Sequence, residues 1–129
     1  MSNVTVRGGS LEGIIEDALK NVESVADQAA ITCSEKAAKR AQTRLKSTSP
    51  GRKYARGWKV KKDRDGATVY NASQPSLTHL LENGHDVISH GVKVGRARAI
   101  PHIKPVEEET KVYFEELIVS EIQRRLNQS

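Results

Sequence analysis

Between Leu11 and Leu45 apolar side chains recur at helical spacing with no proline to interrupt them: Leu11, Ile14, Ile15, Ala18, Leu19, Val22, Val25, Ala26, Ala29, Ala30, Cys33, Ala37, Ala41 and Leu45. This pattern predicts a helix over residues 10–47, with Ser10 as its N-cap and Glu12, Glu16 and Asp17 near its start. At 1.5 Å per residue it would extend roughly 50 Å, more than a chain of this size can cover on all sides. A break near Thr32 to Ser34 would shorten it. The narrow, alanine-rich stripe suits close packing against another helix or another subunit. The preceding segment, Met1 to Gly9, is polar with a Gly-Gly step and reads as a flexible lead or a short edge segment.

A length of 129 residues predicts one domain over 1–129. Its core must be modest, because only one Phe, one Trp and three Tyr are available and hydrophobic residues make up 36% of the chain. A compact chain of this size buries roughly two-thirds of its extended surface. Two long helices and few aromatics point instead to an oligomer or a partner-bound subunit. The single cysteine, Cys33, cannot form an internal disulfide and reads as a small buried apolar residue. No secretory leader is recognisable, and no apolar run approaches the ~20 residues of a membrane span. The expectation is a soluble protein made in a reducing compartment. A net charge of +5 and a pI near 9.5 admit nucleic acid as a neighbour without requiring it.

The segment from Arg52 to Ile103 holds three of the five aromatic rings (Tyr54, Trp58 and Tyr70) and all four histidines. Ser47-Thr48-Ser49-Pro50-Gly51 ends the first helix. Tyr54 to Lys62 reads as a strand. Asp63-Arg64-Asp65-Gly66 reads as a hairpin turn with Gly66 at positive φ, and Ala67 to Asn71 as the return strand. After a loop over Ala72 to Ser76, Leu77, Leu80 and Leu81 mark a short helix that stops at Asn83-Gly84. His85 to Arg98 is glycine-spaced and basic, an exposed loop or a long mobile hairpin, and Ala99 to Ile103 reads as a third strand.

Pro105 suits the first turn of a last helix over 105–127, with Glu107, Glu108 and Glu109 in that turn and Arg124 and Arg125 at the end. The expected fold is α+β: a small antiparallel sheet of three or four strands (52–104) packed against the long N-terminal helix and the C-terminal helix. Tyr54, Trp58, Val69, Leu77, Leu80, Leu81, Gly84, Pro101 and Phe114 are its expected structural residues.

Arrangements that do chemistry are not legible. His79, His85, His90 and His102 follow no compact metal-ligand spacing and have no cysteine nearby. Gly91-Val92-Lys93-Val94-Gly95 lacks the Lys-Ser/Thr of a phosphate-cradling loop, and no serine sits in a nucleophile elbow. No catalytic residue, metal ligand or cofactor is therefore assigned. Charge, by contrast, is banded. Twelve basic residues lie between Lys36 and Arg64 against one acid, Asp63; Glu12 to Glu35 holds six acids against Lys20; Glu107 to Glu121 holds six against Lys111. Such bands fit helix-dipole complementation and solvated faces, contact between the acidic arm of one subunit and the basic hairpin of another, or a surface facing DNA. Lys53, Arg56, Lys59, Lys61, Lys62, Lys93, Arg96 and Arg98 are the candidate interface or DNA-facing residues. Tyr54 and Trp58 could stack on nucleotides, although the sole Trp reads better as the anchor of a small core.

Four segments in order carry a resemblance. Ser49-Pro50-Gly51 leads to Tyr54-Ala55-Arg56-Gly57-Trp58-Lys59-Val60; then come Val69-Tyr70-Asn71, Leu77-Thr78-His79-Leu80-Leu81-Glu82-Asn83-Gly84-His85, and Ile100-Pro101-His102-Ile103-Lys104-Pro105 before the last helix. From about Lys36 to Leu126 this resembles the neck, or tail-completion, proteins of long-tailed double-stranded DNA bacteriophages and prophages. The resemblance implies a non-catalytic structural subunit at the head–tail junction of the virion, made in the bacterial host cytoplasm. Its partners would be other copies of itself in a ring, sixfold by analogy with neighbouring tail rings, and the head-closure and tail-terminator proteins. Double-stranded DNA would pass nearby, and no membrane would be involved. Leu80 and Leu81 would pin the short helix, Gly84 would allow a sharp exit, and Glu82 and His85 would bond loop backbone groups. The His85–Arg98 segment would reach a neighbour. Two alternatives remain open at the sequence level: a DNA-binding regulatory protein using the basic hairpin as a β-ribbon, and an enzyme with a histidine metal site.

Overall fold

The computed structural model describes residues 8–128. Helix α1 (Gly8–Thr48) runs unbroken for 41 residues, about 60 Å. Ser10 lies inside it rather than at its cap, and the reading of Met1 to Gly9 as a lead or edge segment falls largely outside the described residues. No break occurs near Thr32 to Ser34, where the Ser34 hydroxyl donates to the Ile31 carbonyl within the helix (2.7 Å). The helix ends where the hydroxyls of Ser47 and Thr48 both turn back to the Arg44 carbonyl (2.9 and 2.8 Å), just before Pro50.

The strand expected over Tyr54 to Lys62 is divided. Arg52–Arg56 forms a helical turn, α2, and strand β1 (Trp58–Lys62) begins only after Gly57. The reason lies in the side chains: a strand would place Tyr54, Arg56 and Trp58 on one face. The turn instead leaves Arg56 exposed and buries Tyr54 and Trp58 to 2% and 3% exposure. Their rings meet edge to face, with centroids 5.6 Å apart and planes at 70°.

Strand β1 pairs antiparallel with β2 (Ala67–Asn71), with Trp58 opposite Asn71 and Val60 opposite Val69. Asp63 Oδ1 holds the connecting turn by accepting from the backbone N–H groups of Asp65 and Gly66. Gly66 is not among the positive-φ residues. What it provides is space, since a Cβ there would lie 3.1 Å from Ser34 Oγ on α1.

Helix α3 (Leu77–Asn83) exits through Gly84 at φ 74°, where a Cβ would meet the Ala97 carbonyl oxygen at 2.6 Å. The expected sharp exit is therefore present. His85–Ser89 (β3) and Val92–Ala97 (β4) form a second hairpin around His90 and Gly91, both at positive φ, as a two-residue type I′ connection requires. A bulge falls between Val87 and Ile88. These strands pack chiefly on each other and leave Val87, Ile88, Val92 and Val94 exposed.

The four strands thus make two separate two-stranded sheets rather than one sheet of three or four. Ala99 to Ile103 is not a strand. Its Ile100 N–H donates to the Leu81 carbonyl (2.7 Å), which commits the segment to α3. Helix α4 (Ile103–Asn127) starts two residues ahead of Pro105, which places Glu107, Glu108 and Glu109 beyond its first turn.

Helices α1 and α4 pack along each other, α1 also packs on the β1–β2 hairpin and α2, and Val106 of α4 joins Tyr54 and Trp58 in the core. Arg44 on α1 grips Glu109 on α4 with two hydrogen bonds (3.1 and 3.2 Å), and the Arg40 guanidinium lies 4.3 Å from the centre of the Tyr113 ring. The core is Ala41, Leu45, Tyr54, Trp58 and Val106, with Val69, Leu77, Leu81 and Ile103 against it. Cys33 is buried, as expected.

Three expected core assignments need correction. Leu80 is 40% exposed, because a helix of two turns buries one strip and Leu77 and Leu81 occupy it. Pro101 is exposed, and its neighbour His102 takes the buried position. Phe114 is half-buried and lines a surface groove.

Truncating Trp58 removes the largest ring of a small core and leaves the Ser49 hydroxyl without its indole donor. Trp58→Ala should destabilise the fold by about 3–5 kcal/mol in urea or thermal unfolding. An unchanged melting temperature would show that the ring contributes nothing to the core.

Candidate functional site

Two consecutive motif segments, around Glu82 and around His102, meet in one knot although twenty residues separate those side chains. Glu82 projects from the last turn of α3 to the start of α4. Its Oε1 accepts from the backbone N–H groups of His102 (2.7 Å) and Ile103 (2.9 Å), and its Oε2 from that of Lys104 (2.9 Å). The first N–H groups of a helix have no partner within it. His102, the residue at the N-cap of α4, makes no side-chain cap bond, so a carboxylate twenty residues away takes that place. It also supplies negative charge at the positive end of the α4 dipole.

His102 is buried to 2% exposure. Its Nδ1 lies 2.8 Å from the Ile100 carbonyl oxygen and 3.0 Å from Glu82 Oε1, two groups that only accept once Glu82 is ionised, so Nδ1 carries a proton. Its Nε2 faces the Tyr54 hydroxyl at 2.8 Å, and that hydroxyl also lies 3.4 Å from Thr78 Oγ1. The rings of Tyr54 and Trp58 pack edge-on against the imidazole. Trp58 Nε1 donates to Ser49 Oγ (2.8 Å), and Asn71 Nδ2 donates to the Tyr54 carbonyl (2.7 Å). These bonds tie α2, β1, β2, α3 and the start of α4 to one another and to the turn that follows α1.

Burial alone would push the Glu82 carboxyl up, but the three backbone donors, with a contribution from His102, leave it below its ordinary value. Burial pushes the Tyr54 phenol up, and the Glu82 charge acts in the same direction.

A Glu–His–Tyr relay has the connectivity of a catalytic one, yet neither His102 nor Tyr54 lines any of three surface depressions. Glu82 lines one of about 500 Å³ with His79 and Lys104. Among the described residues no group of three or more His, Cys, Asp or Glu could hold a metal ion. His85 does not bond the loop backbone as expected of it: its Nδ1 is buried without a partner.

The eight candidate interface residues divide between two places. Lys53, Arg56 and Lys59 line a shallow depression of about 320 Å³ beside Ala72 and Ser73, with Lys61 exposed further along β1. Lys62 reaches Glu35 on α1 at 3.6 Å. On the second hairpin, Lys93 and Arg96 both pair with Asp86 (3.3 and 3.2 Å), and Arg96 also donates to the Asn83 carbonyl. Arg98 is exposed beyond β4. The basic band is thus partly neutralised on the second hairpin and open beside α2.

A feature the sequence reading missed is a groove of about 520 Å³ between α1, β2 and α4, floored by Ala37, Ala38 and Ala41 and walled by Val69, Val106 and Phe114. None of the described helices is long and apolar enough to cross a membrane. No family model, curated protein or solved structure matches the chain.

The folded carboxyl of Glu82 lies below its ordinary value of 4.5. Its ionisation therefore stabilises the fold above that pH, and the contribution is lost as pH falls through the folded value. Glu82→Gln should cost about 1–2 kcal/mol at neutral pH, by loss of a charged cap with two acceptor oxygens. Urea midpoints measured across pH should show wild type and variant converging below pH 4.5. A constant gap down to full acid unfolding would show that the cap does not depend on ionised Glu82.

Proposed function

We propose that this chain is a structural subunit of the head–tail junction of a long-tailed double-stranded DNA bacteriophage. It acts in tail completion or head–tail joining by assembling with its own copies into a ring, six by analogy with neighbouring tail rings. It catalyses no reaction and uses no cofactor. Its other partners are the head-closure and tail-terminator proteins, and its place is the virion after synthesis in the host cytoplasm.

One observation carries this reading. The segments that give the resemblance, Tyr54 to Trp58, Val69 to Asn71, Leu77 to His85 and Ile100 to Pro105, converge on the capped Glu82–His102–Tyr54 knot, while the first half of α1 and the β3–β4 hairpin lie outside it with apolar side chains exposed. That division suits a subunit whose motif residues hold the fold and whose projecting elements meet neighbours.

The open basic cluster of Lys53 and Arg56 on α2 with Lys59 on β1 favours a second reading, a DNA-binding protein using this face and the adjoining β1–β2 hairpin. Within the first reading the same residues would face DNA passing through the ring.

Electron microscopy of lysates from a phage with a nonsense codon in this gene tests the proposal. Separate DNA-filled heads and tails are expected. Tails of abnormal length would reassign the subunit to tail termination, and intact infectious particles would overturn the structural role. Salt-dependent binding of duplex DNA at about 50 mM salt, measured by fluorescence anisotropy, would then support the second reading.

A further inference from the structure

The β1–β2 hairpin has two unlike faces. Trp58 and Val69 turn toward the core, and Lys62 reaches Glu35 on α1. The alternation of a strand therefore puts Lys59, Lys61, Thr68 and Tyr70 on the opposite face, where all four are exposed. Tyr70 stands directly across from Lys59, with Lys61 as its diagonal neighbour. Of the five aromatic rings in the chain Tyr70 alone is exposed, at 43%.

This face runs on into the depression beside α2. The ladder continues past the strands, with the Ala72 N–H donating to the Gly57 carbonyl (2.8 Å). A glycine and an alanine thus floor a hollow whose rim carries Lys53, Arg56 and Lys59. Together with Lys61, four cations share one surface. Among the described residues none of the four forms an ion pair with a carboxylate. The acids of the hairpin, Asp63 and Asp65, lie in the turn beyond Lys62, and Asp63 is held there by the backbone N–H groups of Asp65 and Gly66.

We propose that this face binds single-stranded nucleic acid, with phosphodiesters seated in the hollow and along Lys59 and Lys61 and a base stacked on Tyr70. The proposal goes beyond the head–tail assignment and does not depend on it.

The ligand follows from what the face offers and what it lacks. Cations alone would accept any polyanion. An acidic helix with an apolar stripe, such as the first half of α1 in another copy, needs an aliphatic surface to cover that stripe. The outer face has none: beside its cations stand Thr68, Ala72 and one ring. A nucleotide needs a cation for its phosphate and a flat apolar surface for its base, and both are present. A duplex also presents phosphates, but its base faces are stacked inside it. Tyr70 therefore contributes only with a strand whose bases are free. Stacking tolerates any base, so no sequence preference is expected.

Fluorescence anisotropy of the full chain tests this with a labelled oligothymidylate of about 20 nucleotides and a duplex of equal length. The single strand should bind more tightly at about 50 mM salt, with log affinity falling against log salt at a slope of about −3 for four neutralised phosphates. Lys59→Gln combined with Lys61→Gln should roughly halve that slope. Tyr70→Thr keeps a strand-forming side chain and removes the ring. It should weaken single-strand binding by about 5- to 100-fold with the slope unchanged, and Tyr70→Phe should bind as the parent chain does. If Tyr70→Thr loses its circular dichroism signal, the single-strand to duplex ratio and the lysine pair decide. No binding, or Tyr70→Thr folded and binding as tightly as the parent, would overturn the proposal. So would displacement of the oligonucleotide by polyglutamate at equal charge, which would assign the face to an acidic protein. Tighter binding of the duplex would also overturn it, while supporting the DNA-binding reading above. The nonsense phage decides the head–tail assignment separately.

Discussion

The start of α4 depends on a carboxylate that belongs to another helix. Glu82 accepts three backbone N–H groups at the α4 N-terminus and stands beside the buried His102 ring, so one side chain satisfies both the helix end and the imidazole. The dependence runs outward from there. Fixing residues 102–104 sets the axis along which α4 packs on α1. It also places His102 Nε2 against the Tyr54 hydroxyl, which fixes α2, and Trp58 follows four residues later on the same inward side. With only five aromatic rings available, a chain of this length has little apolar surplus to fix these angles by packing alone. Directional bonds take over part of that role, and every buried donor or acceptor they leave satisfied avoids a penalty of about 1–3 kcal/mol.

This accounts for why a relay with catalytic-looking connectivity reads as structure. A catalytic histidine has to meet a substrate, and His102 is enclosed by Tyr54, Trp58 and the chain around Ile100. The exposed apolar and basic surfaces lie elsewhere, on elements that the knot positions but does not cover.

How much of this the sequence disclosed depends on the residue. The long helix was legible because nothing interrupts its period, and Tyr54 and Trp58 were legible as core because few other rings could serve. The start of β1 is ambiguous in the sequence because Tyr54 and Trp58, four residues apart, fit a helical turn as well as a strand. Only the burial of a charged Arg56, which a strand would require, separates the two. The third strand was misread for a hydrogen-bonding reason. Residues 99–103 have the composition of a strand, but Ile100 N–H goes to Leu81 and the N–H groups of 102 and 103 go to Glu82, so the donors a ladder needs are already taken. The sequence marks Glu82 as a ligand of backbone groups, but no local spacing encodes its target twenty residues on. The groove is hidden for a similar reason: Ala37 and Ala41 read as a close helix contact, and the gap depends on how β2 and α4 are placed around α1.

The uncovered half of α1 would be a marginal helix by itself, because starting a helix fixes several residues for one hydrogen bond. Here the packed half supplies the nucleus, and each further residue toward the N-terminus only extends an existing ladder. The arm can therefore display its apolar stripe already ordered. A surface that is ordered before contact gives up less conformational freedom when it docks. Its five acids then act in two ways at once. They disfavour the approach of a like-charged helix, and they attract basic groups. A small core, a cap borrowed from a neighbouring helix and an acidic arm extended from a nucleated helix are thus parts of one arrangement, in which the domain is stabilised by directional bonds and much of its remaining apolar surface is left exposed.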